Sequence, residues 1–477
     1  MLDPENYILS VNLFLRLLGF IYFIVYVPFL FQIKGLLGSK GILPVGRYLQ
    51  GAKRILGKEA YNVLPTIFWL NYSDKALIGS IWSALLFSIF LMFNIFSPLM
   101  LLLLYCVHLS IVSIGQDFLS FGWEMFLLEI TFNAFFLSLT EKPNLMMFMS
   151  LNLLLFRFHF QAGAVKLQSK DKNWRNFTGL AFHYLSQPLP NATAWLAHKL
   201  PLWFHKLSTA LMFFVELVVP FALFGTEDMR CVVWICFVGL QVLIWATGNF
   251  SYLNHLTVVF STILLSNHFL EPFFGKASEL RESSIYANMI LSSVGATLII
   301  LQLMNLWYNL YKPLEFFRKI QHLLSPYHII NRYGIFAVMT TKRYEIVVEG
   351  SQDGIVWKEY LFRYKPSEIN RRPRRISPFQ PRLDWQAWFL PFNDFEDNIW
   401  FQQFLGKLLL GENEVLALIR LNPFPNKPPH YIRAISYDYE FTDFKTLWQT
   451  GNWWKRSYLG AYSPILEIDR HHPVNIF

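Results

Sequence analysis

A set of ionisable and amide side chains lies inside runs otherwise apolar enough to sit in lipid: Gln116, Asp117, Glu124, Glu129, Arg157, His159, Gln161, Lys166, Glu216, Gln241 and His255. Charge at membrane depth is costly, so these groups face a protein interior and mark a site by default. Two kinds of chemistry fit them. One is structural, with hydrogen bonds and ion pairs holding helices together. The other is a polar cavity in which Lys166 acts as a general base, with Arg157, His183 and Glu216 around it. Arg157 and Gln161 are four residues apart and share a helical face, whereas His159 projects elsewhere. Glu216 is a candidate partner for Arg157 or for Lys166.

Motifs for other chemistries are missing. His183, His198 and His205 flank a QPLP turn (Gln187–Pro190), but their spacings match no standard zinc pattern, and there is no H-E-x-x-H. There is no G-x-S-x-G, phosphate loop or CxxC, so hydrolase, nucleotidase and disulfide-exchange chemistry has no support and no cofactor or metal is expected. Cys106, Cys231 and Cys236 all lie in apolar segments, which argues against a disulfide framework. Trp174, Tyr184, Trp195 and Trp203 suit a segment at headgroup level. The patterns Asn71-Tyr-Ser, Asn176-Phe-Thr and Asn191-Ala-Thr occur at about the chance rate for glycosylation acceptors.

The elements that position these residues are membrane helices. The chain has 477 residues, 54% apolar, 18% aromatic and 15% charged, against roughly 25% charged in a soluble domain. The deficit sits in long uncharged runs, several reaching the roughly 18–20 residues that cross a bilayer. Span candidates are 11–33, 76–95, 97–115, 119–139, 144–165, 206–225, 231–248, 252–270 and 286–310, with 119–139 weakened by Glu124 and Glu129. The formal charge of +9 reflects Lys and Arg in short loops beside spans, so nucleic-acid binding is not expected and membrane lipids are. Lysines and arginines in 34–75 and 166–206 put these loops in the cytoplasm and the N-terminus outside. Nine spans then leave the C-terminus cytoplasmic.

The fold class expected is a polytopic α-helical membrane protein of about nine spans with a C-terminal α+β soluble domain containing a β-hairpin: residues 1–311 helical and 312–477 soluble. Alternating Tyr344, Ile346 and Val348 read as a strand, Ser351–Gly354 as a turn, and Val356, Lys358 and Tyr360 as the return strand. Phe401–Gly411 reads as an amphipathic helix closed by Gly411. The segment Asn370–Phe389 places four arginines before an aromatic–acidic patch. Arg382 and Asp384 are expected to pair, with Trp385 and Trp388 packing below. This is either a structural corner or a partner surface.

The blocks SKGILPV (Ser39–Val45), NWRNFTGLAFHYLSQPLPN (Asn173–Asn191), WFHKLS (Trp203–Ser208), VELVVPF (Val215–Phe221), TGNFSYLNHLT (Thr247–Thr257), EGSQDGIVWKEYLFRYKP (Glu349–Pro366), SPFQPRLDWQAWF (Ser377–Phe389), NPFP (Asn422–Pro425) and WWKRSYLGAYSP (Trp453–Pro464) resemble the lipase maturation factor family, in its order and over nearly the whole chain. The resemblance implies an endoplasmic reticulum membrane protein in animals, needed for folding and assembly of secreted homodimeric lipases. The C-terminal domain would then be lumenal and bind the client, against the orientation read from the loop charges. The chain's shortness, few cysteines and richness in Phe, Ile, Leu and Asn suggest a bacterial member, which would sit in the inner membrane.

A shorter element, AGAVKL followed by NW (Ala162–Leu167, Asn173–Trp174), is similar to one in the vitamin K-dependent γ-carboxylase and its bacterial membrane relatives, where Lys166 would match a base.

The expected function is therefore a maturation or assembly factor for exported proteins, with a client protein such as a secreted lipase as partner. Arg375, Arg382, Asp384, Trp385 and Trp388 are the first contacts expected. The alternative is a γ-carboxylase-like membrane enzyme using Lys166, and a weaker third reading is a lipid or small-solute carrier. The maturation-factor reading expects no enzymatic activity, whereas the γ-carboxylase-like alternative requires one.

Overall fold

Residues 3–277, 284–311 and 315–467 are described by a computed structural model. Residues 312–314, at the expected domain boundary, lie outside them. Among the described residues, seven helices are long and apolar enough to cross a membrane: Pro4–Tyr26, Asp74–Met92, Ser97–Ile114, Leu145–Gln168, Leu202–Phe224, Glu227–Thr247 and Ile285–Leu310. Polar residues fix several starts, as Asp3, Ser73, Asn144 and Thr226 each accept a backbone N–H of the first turn.

The two remaining span candidates differ from expectation. The run 252–270 forms Leu253–Leu264 and Asn267–Phe274, bent by 107° at the break, so it counts as an eighth span only if the pair is one. Arg230 supports the break. It donates to Leu223 O (2.7 Å) and Ile263 O (3.1 Å), carbonyls at two interrupted helical stretches. The run 119–139 forms Gly122–Leu137, only 16 residues, or about 24 Å. It is largely enclosed by its neighbours, with Glu124 and Glu129 fully buried, so its length is matched to protein and not to lipid. The expected nine spans therefore become seven, or eight with the bent pair, plus this interior helix.

Contacts sort the helix ends into two faces. At one end Asn6 bonds Glu227 (2.9 Å), Lys142 bonds Glu5 (3.1 Å) and Asn267 accepts from Leu9 N (3.0 Å). At the other, the loops 34–75, 115–121, 166–206 and 248–252 share a face with the C-terminal part of the chain. Lys34 stands 3.7 Å from Glu414, Arg382 donates to Phe118 O (2.9 Å), Arg343 to Pro188 O (2.8 Å) and Asn249 to Arg374 O (2.9 Å).

That C-terminal part is built on an antiparallel sheet of β1 (Tyr344–Ser351), β2 (Trp357–Glu359), β3 (Tyr431–Phe441), β4 (Trp454–Ala461) and β5 (Leu466–Glu467). The order is β2-β1-β3-β4, with β5 pairing β3. The β1–β2 hairpin closes at Ser351↔Trp357. Asp353 accepts from Ile355 N and Val356 N at its turn, and Gly354 takes φ +75°. Ile399–Leu410 is a helix stopped by Gly411 at φ +68°. Its buried Phe401, Phe404, Leu405 and Leu408 belong to the same apolar cluster as Phe126, Leu154 and Phe260 of the bundle. Bundle and sheet share one core.

Candidate functional site

Two carboxylates of the short interior helix are sockets for C-terminal residues. Glu129 takes Arg157 at 2.8 Å, the Tyr333 hydroxyl at 2.5 Å, and Asn331 through its backbone N (2.8 Å) and Nδ2 (2.9 Å). Arg157 also donates to Asn331 O (2.6 Å) and to Asn305 Oδ1 (3.1 Å). Gln161 donates to the same Asn305 oxygen (3.2 Å) and accepts from Tyr333 N (3.1 Å). The expected common face of Arg157 and Gln161 thus receives the Asn331–Tyr333 segment. His159 does point away, stacking on Phe237 at 3.6 Å between ring centres.

Glu124 takes Arg382 Nη2 at 2.7 Å and the Tyr252 hydroxyl at 2.7 Å, with His108 Nε2 at 3.3 Å. Gln32 grips the backbone beside Arg382, accepting from Arg382 N and donating to Gln380 O, both at 2.9 Å. Arg382 and Asp384 do not pair. Residues two apart on a helix diverge, and Asp384 instead accepts from Tyr364 N (2.6 Å) and Lys365 N (2.9 Å). Burial raises the Asp384 pKa, opposed by those two N–H groups. Trp385 packs edge-on against Trp123 (5.0 Å), Phe121 and Phe250 of the bundle. Trp388 donates to Ser186 O (2.8 Å). Arg375 is exposed, donates to Ala246 O (3.1 Å) and lies 4.6 Å over the Trp245 ring.

A third socket binds the QPLP turn. Arg343 donates to the carbonyls of Leu185, Gln187 and Pro188 and pairs with Glu345 at 2.6 Å, while Lys365 meets the other Glu345 oxygen at 2.8 Å. Burial lowers the Arg343 pKa, opposed by Glu345. Asn249 adds a clamp, accepting from Ile376 N and Ser377 N.

Of the residues of the enzyme alternative, Arg157 sits with Glu129, away from Lys166, Glu216 and His183. Lys166 pairs with Glu216 and not Arg157 with Glu216. Its amine donates to both carboxylate oxygens (2.8 and 2.7 Å) and to Ala162 O (3.1 Å), so its three donors are all engaged. Trp174 covers it, with Nζ 5.7 Å from the ring centre. His183 lies between the Phe250 and Phe336 rings, and burial, then Lys166, lower its pKa to about 4. His198 packs on Phe441 and is also lowered to about 4, mainly by burial.

Sequence reasoning missed Gln32, Asn249, Asn305, Asn331, Tyr333, Arg343, Glu345 and Lys365. Gln32 and Asn305 carried the same signal as the others, a polar side chain inside an apolar run.

The fold and its sockets define an integral membrane protein: a helical bundle into which a C-terminal α+β part is locked by buried ion pairs. The chain belongs to the lipase maturation factor family. Residues 9–272 match the model of the lipase maturation factor transmembrane domain, and residues 329–464 that of the lipase maturation factor C-terminal domain. It is 33% identical to Lipase maturation factor 1 of Mus musculus over 95% of this chain and 86% of that protein. It is 31% identical to Lipase maturation factor 1 of Homo sapiens over 96% and 88%. Lipase maturation factor 2 of Gallus gallus is 28% identical over 96% and 81%. No solved structure matches.

Proposed function

We propose that the protein is a membrane-embedded maturation or assembly factor for exported proteins, with a lipase as client. The observation that carries this reading is similarity along nearly the full chain, in both parts and in the same order, to proteins named lipase maturation factors. In a eukaryotic cell the membrane would be that of the endoplasmic reticulum, in a bacterium the inner membrane. The client-facing side would be the side on which exported proteins fold.

Arg382, Asp384 and Trp385 are at most 3% exposed, so they anchor the C-terminal part and leave client contact to its open surface. We assign that contact to a concavity of about 440 Å³ lined by Tyr344, Ile346, Phe392, Asn393, Leu459 and Tyr462. It lies beside β4, an edge of the sheet as described. An edge strand offers unpaired N–H and C=O groups to an extended segment of an unfinished client.

The geometry of Lys166 disfavours the enzyme alternative, because a base needs a lone pair aimed at substrate and this amine is enclosed by a carboxylate. The test is co-expression with a secreted homodimeric lipase in cells lacking their own factor. The chain raises secreted lipase activity, and Lys166→Met/Glu216→Gln, which removes both charges together, retains that effect. Loss of the effect in a variant that still folds would favour chemistry at Lys166.

A further inference from the structure

We propose that Arg372, Arg374 and Arg375 form a binding site for the phosphate of an anionic phospholipid at the membrane surface.

Depth is fixed by the helix Glu227–Thr247. Its 21 residues span about 32 Å, and Glu227 and Asp228 mark the headgroup level at its start. Its other end, Trp245–Thr247, therefore lies at the opposite headgroup level, where tryptophan is favoured. The helix faces lipid: Val232, Ile235, Val242 and Leu243 are 48–60% exposed.

The arginine loop is tied to this end of the helix. Arg375 donates to Ala246 O and lies over Trp245. Asn249 holds the loop backbone at Arg374 O, Ile376 N and Ser377 N. The exposed Arg375 guanidinium is thereby held at headgroup depth beside a lipid-facing helix, with the exposed Arg374 next to it in the chain and the exposed Arg372 close by, lying 5.8 Å over the Trp453 ring.

Their contacts within the chain are to aromatic rings and a carbonyl, and not to a carboxylate. Among the described residues none of the three is in an ion pair, and Glu368 at the start of the loop is taken by Arg420. Arg371 is different, since it bonds Phe362 O inside the fold. Guanidinium groups bind phosphate oxygens through paired N–H donors, and a basic residue at the surface of an anionic membrane contributes roughly a fivefold gain in binding. The shared chemistry is a phosphate monoanion, which a lipid headgroup or a free phosphate would supply. The position beside lipid favours the headgroup.

The experiment purifies the full-length protein from mixed phosphatidylcholine and phosphatidylglycerol and counts lipids retained per protein. Wild type is expected to retain phosphatidylglycerol over phosphatidylcholine, and millimolar inorganic phosphate is expected not to displace it. Arg372→Gln/Arg374→Gln/Arg375→Gln is expected to lose this selectivity, by about fivefold per arginine. The Arg→Lys triple variant, which keeps the charges, is expected to retain most of it. A control on the same face, Arg47→Gln/Arg54→Gln/Lys58→Gln, is expected to keep it. The proposal is overturned if the loop glutamine variant keeps the selectivity, if the control loses as much, or if inorganic phosphate alone displaces the lipid. The proposal does not depend on the client.

Discussion

Arg382 Nη2 lies 2.7 Å from Glu124 Oε1, with the two side chains 1% and 0% exposed, and the pair joins the sheet-bearing part of the chain to a helix in the centre of the bundle. A charge placed there alone would be stranded away from water, so each partner requires the other. The Glu129–Tyr333 contact repeats the arrangement five residues further along the same helix. The C-terminal part is thus held at a fixed orientation on the membrane bundle.

Breaking one partner of the first pair should therefore cost more than removing both. Arg382→Met leaves the buried Glu124 without its arginine partner and should lower stability by about 3–5 kcal/mol. Arg382→Met/Glu124→Gln should recover much of that loss. Thermal unfolding of the detergent-solubilised protein measures both. Equal loss in the single and double variants would show that the pair does not couple.

Close backbone packing makes a second point of attachment. A Cβ at Gly35 would collide with Glu414 O and come within 2.8 Å of Leu418 Cγ. Gly35→Ala must push the C-terminal part away from the helix Phe29–Leu37, at about 1–3 kcal/mol. Limited proteolysis should then cut more readily between 325 and 343. Wild-type resistance in this variant would mean the two parts are not held together there.

Docking of the 179–198 segment should depend on pH. His183 and His198 sit near 4 in the folded protein against an ordinary 6.5. Between these values the unfolded chain binds more protons than the folded one, so stability falls as pH drops from 6.5 to about 4 and is flat above 6.5. The raised pKa of Asp384 acts in the opposite sense at the acidic end, since the folded state then binds its proton first. Melting temperature against pH should show the slope, and His198→Gln should flatten it. An unchanged slope in that variant would remove His198 from the account.

The loops 34–75 and 166–206 and the C-terminal sheet lie on one face, so reporters placed near Gly57, Asn176 and Gly354 should give the same sidedness. Maturation of exported clients requires that side to be the lumen or periplasm, against the loop charges. A cytoplasmic signal from all three would keep the fold but end the role of the sheet in client folding.

Polar residues at membrane depth were the legible part of the site. Glu124, Glu129, Arg157, Gln161, Lys166 and Glu216 are all buried and partnered, because an apolar run makes any polar interruption conspicuous. Their C-terminal partners were not legible: Glu129 and Tyr333 are 204 residues apart, and no local pattern encodes such a pairing. Strand alternation marked Tyr344, Ile346 and Val348 as a strand but carried no signal for Glu345 between them. Both faces of β1 are in fact covered, and Glu345 pairs with Arg343 and Lys365 beneath the QPLP turn. The exposed-anchor reading of Arg382 and Trp385 rested on residue type, which cannot distinguish a contact with a client from one with the chain's own bundle. The span at 119–139 was uncertain for a physical reason, since a helix shielded by protein need not satisfy lipid.

The central claim is that an exported client meets the C-terminal sheet at its β4 edge, in the concavity lined by Leu459 and Tyr462. A photo-crosslinker at Leu459, which is 52% exposed in that concavity, tests it during synthesis of a secreted lipase, with the same probe at the buried Trp385 position as control. A lipase adduct from Leu459 and none from Trp385 is the predicted result. No adduct from Leu459, in cells where the chain raises lipase activity, would contradict it.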